Sequence, residues 1–277
     1  IALVFFMFSN MDVGKNVVYA IGSAAILYFI RLMFKANRAE ALKMGTILIM
    51  IFLSTAFFVY YGQMMTSMTM VTINTMRGDL FGFIPIAPEA AMSMNPLWCM
   101  VAGPVIAYTF SSLEKRNINL TTATKVAFSF VLTATAFGIL TIAVKYIGSD
   151  VTLRPEIFLV IHFFQAFAEV IVGSMVVAFI LSVAPKHIEN FSVSLFSVAI
   201  ALSGIVGAVF STSIALTKNQ EITQGIVQKV YGDYFSTLTI WAVVMVGVAL
   251  LSSVIIQKML TAGNAESETD HEPSQLT

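Results

Sequence analysis

Seven stretches of this chain are long and apolar enough for a helix to cross a lipid bilayer. A bilayer core of roughly 30 Å requires about 20 consecutive apolar residues in helical form. The stretches cover about residues 16–34, 44–66, 96–113, 124–147, 156–184, 188–216 and 234–260. One of them alone could be a buried helix of a soluble protein. Seven in one chain, with the charges confined to the gaps, predict an all-α membrane protein.

Composition excludes several other classes of function. Of the 277 residues, 58% are hydrophobic and 11% are charged, whereas a soluble domain carries roughly twice that charged fraction. The formal net charge is zero, so no basic field indicates a nucleic-acid partner. Cys99 is the one cysteine and the three histidines are scattered, so we expect neither a metal site nor a cofactor. The sequence shows no pairing of nucleophile and base and no phosphate loop, so we do not expect an enzyme.

The two ends of the chain differ in character. Residues 1–8, IALVFFMF, resemble the end of an earlier hydrophobic helix, and we interpret the chain as a piece of a longer protein. The segment TAGNAESETDHEPSQLT at the other end is polar and acidic and has no aromatic residue. Such a segment cannot bury enough apolar surface to become ordered. We therefore predict a disordered acidic tail at residues 263–277.

The basic residues in the gaps predict the orientation in the membrane. If every stretch spans the bilayer, the connectors 31–43 and 113–125, together with Lys186 and Lys258, place nine basic residues on one side, against six on the other. Cytoplasmic loops carry an excess of lysine and arginine. The richer side is therefore predicted to be cytoplasmic, and so is the carboxy terminus.

The fifth stretch, PEIFLVIHFFQAFAEVIVGSMVVAFILSVA, carries a narrow polar stripe. His162, Gln165 and Glu169 share one face of a helix with 3.6 residues per turn. A charge at the bilayer centre costs about 2.5–3.5 kcal/mol, and no lysine or arginine occurs at matching depth in the sequence. Glu169 is thus predicted to face a water-accessible cavity, where it pairs with an outside cation or holds a proton, although a structural bond between helices is an alternative. For His162 we favour an interfacial or packing role.

Two further polar sites lie near predicted helix ends. In FFVYYGQMMTSM, Gln63 and Ser67 are four residues apart and share a face; they can bond across helices or line a cavity, and both alternatives remain open. In MSMNPLW, Asn95 precedes Pro96, an arrangement typical of an N-cap. The segment NTMRGDLFGFIPIAPEAAMSMNP, rich in glycine and proline, predicts an extracytoplasmic loop with little regular structure.

Three stretches, residues 57–68, 81–110 and 165–196, resemble in order and spacing helices seven, eight and ten to eleven of the proton-dependent oligopeptide transporter family of the major facilitator superfamily. The resemblance covers roughly residues 44–260. It implies a carboxy-terminal six-helix bundle at 44–262. Residues 1–43 would hold the end of one linker helix and a second linker helix, of the kind that bacterial members carry between their two halves.

The resemblance also implies site residues. Glu169 matches the tenth-helix glutamate that holds the peptide's amino end, and it is our candidate for proton coupling. Asn95 matches the eighth-helix asparagine that contacts the peptide backbone, and Gln63 and Ser67 match polar positions of the seventh helix. The chain departs from the family at three positions: Gly62 replaces a proton-coupling glutamate, Phe196 replaces a tryptophan, and Ser174 is shifted by one residue from the usual serine. Phe196 and Ser174 complete the predicted substrate-binding set.

The function implied by the resemblance is import of di- and tripeptides across the inner membrane, driven by the proton gradient. Its partners would be the peptide, protons, the lipid bilayer and an amino-terminal six-helix half. Two alternatives remain. The cargo could be an amino-acid derivative or a siderophore-like molecule, or the protein could be a binding scaffold that has lost transport. Only a transporter requires the cavity-facing polar residues for its activity.

Overall fold

The computed structural model describes residues 9–214, 216 and 221–269. The helix end expected at residues 1–8 and the last part of the expected tail, residues 270–277, lie outside the described residues. Within them, seven helical runs have the length and hydropathy needed to cross a membrane. The predicted all-α membrane protein with seven spans is therefore confirmed.

Nine α-helices make up the seven runs. They are α1 (Met11–Lys35), α2 (Arg38–Gln63), α3 (Thr69–Thr75), α4 (Met94–Lys115), α5 (Thr122–Lys145), α6 (Pro155–Val183), α7 (Glu189–Thr212), α8 (Gln224–Ile226) and α9 (Gly232–Thr269). A π-helical turn, Met64–Met68, joins α2 to α3, and another, Val227–Tyr231, joins α8 to α9. Short 3₁₀ helices at Pro88–Ser93 and Lys186–Ile188 lead into α4 and α7.

Local sequence explains where several helices begin. The side chains of Asn10, Asn37 and Thr121 accept hydrogen bonds from the backbone N–H three residues further on, and so cap α1, α2 and α5. Pro155 occupies the first turn of α6, where the N–H that proline lacks would have no helical partner. Pro104 lies inside α4, and the helix continues through it to Lys115.

The helices pack into one bundle around α2. This helix contacts α5, α6, α7 and α9, while α6 also packs against α4 and α5, and α9 packs against α5. Helix α1 lies outside the other six spans and rests on α7 and α2. The ring of Tyr28 meets that of Phe191 edge-on at 5.5 Å. The position of α1 agrees with that predicted for a linker helix.

The loop after α3 is more ordered than its glycines and prolines predict. Strands β1 (Asp79–Leu80) and β2 (Ile84–Pro85) form an antiparallel hairpin. Its turn places Phe81 and Gly82 at positive φ. The Phe81 N–H donates to the Glu156 carboxylate at 2.6 Å, and the Arg77 N–H donates to the Leu153 carbonyl at 2.9 Å. The loop is ordered because its backbone groups find partners at the start of α6.

The predicted disordered tail is wrong for residues 263–269, because α9 continues through Thr269. Alanine and glutamate in this segment favour helix. The segment also has tertiary partners at the start of α2. Arg38 Nε lies 3.1 Å from Glu266 Oε1, and a Cβ on Gly263 would lie 3.2 Å from the Ala39 carbonyl oxygen.

Candidate functional site

Glu169 lies where α6 packs against α4, and it is partly exposed. Asn95 Nδ2 donates to Glu169 Oε2 at 2.8 Å. Cys99 Sγ lies 3.5 Å from the same oxygen, and Tyr61 of α2 lies near this carboxylate. Two helices, α4 and α2, thus bring polar groups to one carboxylate in the middle of the apolar span α6.

Within the part of the chain that the structure describes, no lysine or arginine forms an ion pair with Glu169. The neighbours of the carboxylate are an amide, a thiol and a phenol, which are neutral donors. They orient the charge without neutralising it. Glu169 therefore has the bond between helices that one alternative describes, while its pairing with an outside cation or a proton stays a prediction.

Asn95 does not have the predicted N-cap role. Helix α4 begins at Met94, one residue earlier, with Ser93 as its N-cap residue. The preceding 3₁₀ helix already satisfies the first N–H, because Met94 N–H donates to the carbonyls of Ala91 and Met92. The Asn95 amide is consequently available for Glu169.

The peptide contact that the resemblance implies for Asn95 stays a prediction, and the side chain is buried in this half of the protein. Asn95 is only 2% exposed, and its Oδ1 has no hydrogen-bond partner among the described residues. The side chain lies behind Glu169 rather than at an open wall. Its amide nitrogen contacts the Glu169 carboxylate.

Gln63 and Ser67 form a buried network with Tyr234 of α9. Ser67 Oγ donates to Gln63 Oε1 at 2.6 Å, and the Tyr234 hydroxyl donates to the same oxygen. Gln63 Nε2 donates to the Gly207 carbonyl of α7 at 2.9 Å. Gln63 and Ser67 are both 0% exposed. The sequence left open whether Gln63 and Ser67 bond across helices or line a cavity, and in the structure they bond across helices. Because both side chains are buried, this arrangement does not agree with the predicted substrate contact.

Gly62 lies in the same region, where α2 and α7 cross. A Cβ on Gly62 would meet Gly207 Cα at 4.0 Å, and a Cβ on Gly207 would come within 3.2 Å of Gln63 Nε2. Where the family has a glutamate, this chain has a glycine, which allows the backbones of α2 and α7 to approach closely.

Ser174 and Phe196 do not join Glu169. Ser174 is exposed, and its hydroxyl donates to the Val170 carbonyl at 2.6 Å within its own helix. Five residues after Glu169, it points about 140° away around the helix. Phe196 is 5% exposed and packs against the Phe58 ring, with 5.9 Å between centroids. Neither residue contributes to the polar cluster.

His162 and Gln165, the other polar residues of the stripe on α6, are buried inside the bundle. His162 is 0% exposed, so it is packed inside the bundle. Both of its ring nitrogens, and Gln165 Oε1, lack hydrogen-bond partners in the described ranges.

Sequence reasoning missed Cys99 and Tyr234. Cys99 follows Asn95 by four residues on the same helix, and this spacing, which puts both side chains on one face, could have identified it. Tyr234 comes from a distant helix, and no local signal links it to Gln63.

Comparison with known proteins gives one family match. A sequence model described as "POT family" matches residues 10–256. Dipeptide and tripeptide permease B of Aeromonas hydrophila is 24% identical over 277 residues, covering 98% of this chain and 54% of the permease. The chain therefore spans about half the length of the curated relatives it matches.

Solved structures show the same relationship. A bacterial homologue of the human drug peptide transporters PepT1 and PepT2 superposes with a TM-score of 0.74 at 23% identity, over 92% of this chain and 51% of that one. A POT family transporter in complex with 5-aminolevulinic acid superposes with a TM-score of 0.74 at 15% identity, over 92% and 51%. At these identities the likeness establishes the fold, which is that of half of such a transporter.

Proposed function

The chain belongs to the POT family, and from that premise we propose that it is the carboxy-terminal half of a proton-coupled transporter that imports di- and tripeptides. The family match over residues 10–256 and the relatives named dipeptide and tripeptide permease support this proposal. The observation that carries it is the carboxylate of Glu169, which is held by neutral donors in an apolar span and has no described basic partner. A binding scaffold has no need for so costly a group at this depth.

The proposed chemistry has two parts. The ammonium group of a peptide pairs with Glu169 when the carboxylate is charged, while Asn95 keeps that carboxylate in position. Glu169 is also our candidate for proton coupling, so peptide and proton share one carboxylate. Binding of peptide and loss of the proton are thereby linked. The amino-terminal half supplies the facing wall of the cavity, since transporters of this superfamily bind substrate between their two halves.

The proposed setting is the inner membrane with a cytoplasmic carboxy terminus. The protein is a multi-pass membrane protein. Residues 31–43 and 113–125, around the junctions of α1 with α2 and of α4 with α5, hold seven of the fifteen basic residues, and they favour the cytoplasmic side. Because transport changes no covalent bond, we assign no enzyme activity.

A second candidate cargo is an amino-acid derivative. One POT family transporter has been solved in complex with 5-aminolevulinic acid, which shares an ammonium and a carboxylate group with a short peptide. Glu169 would pair with the ammonium group of either cargo. The siderophore-like alternative lacks such a specific observation.

The test is uptake of labelled dialanine by the full-length protein in lipid vesicles. An inward proton gradient should drive accumulation, and dissipating the gradient with a protonophore should abolish it. If unlabelled 5-aminolevulinic acid inhibits the uptake at a lower concentration than unlabelled dialanine does, the cargo is an amino-acid derivative. Binding of dialanine with no gradient-driven uptake would favour the scaffold.

A further inference from the structure

A small pocket with a mostly apolar lining and a few polar groups lies inside the bundle, beside the Glu169 site. Its lining comes from α2, α5 and α6 and consists of Phe57, Tyr60, Tyr61, Thr133, Phe137 and Gln165. About 10 Å³ is open to the centre of a water molecule. That is close to the space one water requires, and too small for an organic ligand.

Gln165, one of the residues that line this pocket, has a polar atom without a hydrogen-bond partner among the described residues. The residue is 6% exposed, and its Oε1 has no hydrogen-bond partner among the described residues. A buried acceptor without a donor costs about 1–3 kcal/mol. Native proteins usually satisfy such atoms with an internal water.

Two hydroxyls in the lining complete a set of partners for a water. The Thr133 hydroxyl donates to the Ser129 carbonyl at 2.9 Å, which leaves its oxygen free to accept. Tyr60 brings a phenol that can donate. With Gln165 Oε1 as an acceptor, the pocket offers three partners, the usual number for a buried water.

The pocket is connected to Glu169 through Tyr61. This residue lines the pocket, and it also lies near the Glu169 carboxylate. Gln165 precedes Glu169 by four residues on α6, which places it about 6 Å further along the same helix face. The pocket is thus the inner side of the Glu169 site.

We propose that the pocket is a hydration site, in which one water donates to Gln165 Oε1, accepts from the Tyr60 hydroxyl and donates to Thr133 Oγ1. The water keeps the inner wall of the Glu169 site polar. A carboxyl group releases its proton less readily as its surroundings become drier. On the proposed transport function, Gln165 is therefore a positioning residue for the proton cycle and does not touch the peptide.

The direct test is a high-resolution structure of the full-length protein and of its Gln165→Leu variant. Density for one water within hydrogen-bonding distance of Gln165 Oε1, absent from the variant, is the expected result. An empty pocket in the wild type, in a map that shows ordered waters elsewhere, would overturn the proposal. This test holds even if the wild type takes up no peptide, a result that would refute only the transport function.

The functional test separates two transport modes. Gln165→Leu should slow gradient-driven dipeptide uptake about five-fold, the equivalent of one hydrogen bond of about 1 kcal/mol. Exchange of internal for external dipeptide, which requires no net proton release, should stay within two-fold of wild type. Gln257→Leu, the same change at an exposed position of α9, is the matched control and should alter neither mode. Equal loss of both modes in Gln165→Leu, or loss of neither, would contradict the positioning role.

Discussion

Asn95 and Glu169 are 74 residues apart in sequence, and in the folded chain the amide of one donates to the carboxylate of the other. The bond joins α4 to α6 at an acidic residue in the middle of an apolar span. It uses Oε2 only, so it orients the carboxylate without satisfying its charge. This relationship defines what Asn95 does, and it can be separated from direct ligand binding by mutation.

Asn95→Ala is expected to weaken dipeptide binding about tenfold, because a hydrogen bond to a charged group contributes about 1.5–3 kcal/mol. The measurement is the apparent affinity of the full-length protein in vesicles. If Asn95 acts through Glu169, adding Asn95→Ala to a Glu169→Gln variant should cause no further loss. Additive losses would show that Asn95 has a ligand contact of its own. Asn190→Ala, at an exposed position on α7, serves as the control.

Asn95→Asp should be more harmful to uptake than Asn95→Ala. The substitution places a second carboxylate at hydrogen-bonding distance from Glu169, and two such groups cannot both be ionised at little cost. They would share a proton that the peptide cannot displace. Gradient-driven uptake at the Asn95→Ala level or above would contradict this expectation.

Tyr234→Phe is expected to lower stability while leaving substrate affinity unchanged. The phenol donates to Gln63 and lies 3.1 Å from Ser67 Oγ, so its removal costs roughly 1 kcal/mol in a buried network. A lower Tm of the detergent-purified protein, with a wild-type KM for dipeptide, would assign the network to helix packing. A raised KM at wild-type Tm would restore the substrate role first predicted for Gln63 and Ser67.

Gly207→Val should destabilise the bundle, whereas Gly204→Val should not. A Cβ on Gly207 would lie 3.2 Å from Gln63 Nε2 and 3.6 Å from the Val59 carbonyl oxygen, while one on Gly204 meets nothing within 4 Å. The two substitutions are the same change, one turn apart on α7. Thermal unfolding of the purified protein compares them, and equal Tm values would show that the close crossing of α2 and α7 does not constrain stability.

Much of the fold could be predicted because the membrane restricts the choices. Spans of apolar residues must be helical in lipid, so hydropathy alone located all seven, and Pro155 fixed the start of α6. The ordered loop at 76–93 and the helical end at 263–269 were not predictable in this way. Both depend on tertiary partners, such as Glu156 for the loop and Arg38 for the helix end.

The site was predictable only in part, for a related reason. Glu169 stands out because a charge in an apolar span is conspicuous on sequence alone. The partners of Asn95 and Gln63 depend on how α4 and α2 are rotated against their neighbours, which local periodicity does not determine. The π-helical turn at Met64–Met68 also changes which of the residues after Gln63 lie on the same helix face.

The most direct test of the account is gradient-driven dipeptide uptake by the full-length protein carrying Glu169→Gln. This change keeps size and polarity but removes the charge that we propose binds the peptide and the proton. Glu189→Gln, whose carboxylate pairs with the exposed Lys186, is the matched control and should transport normally. We expect nearly abolished uptake for Glu169→Gln, with wild-type expression and Tm. Uptake at the wild-type rate, with an unchanged dependence on the proton gradient, would show that the carboxylate is only structural.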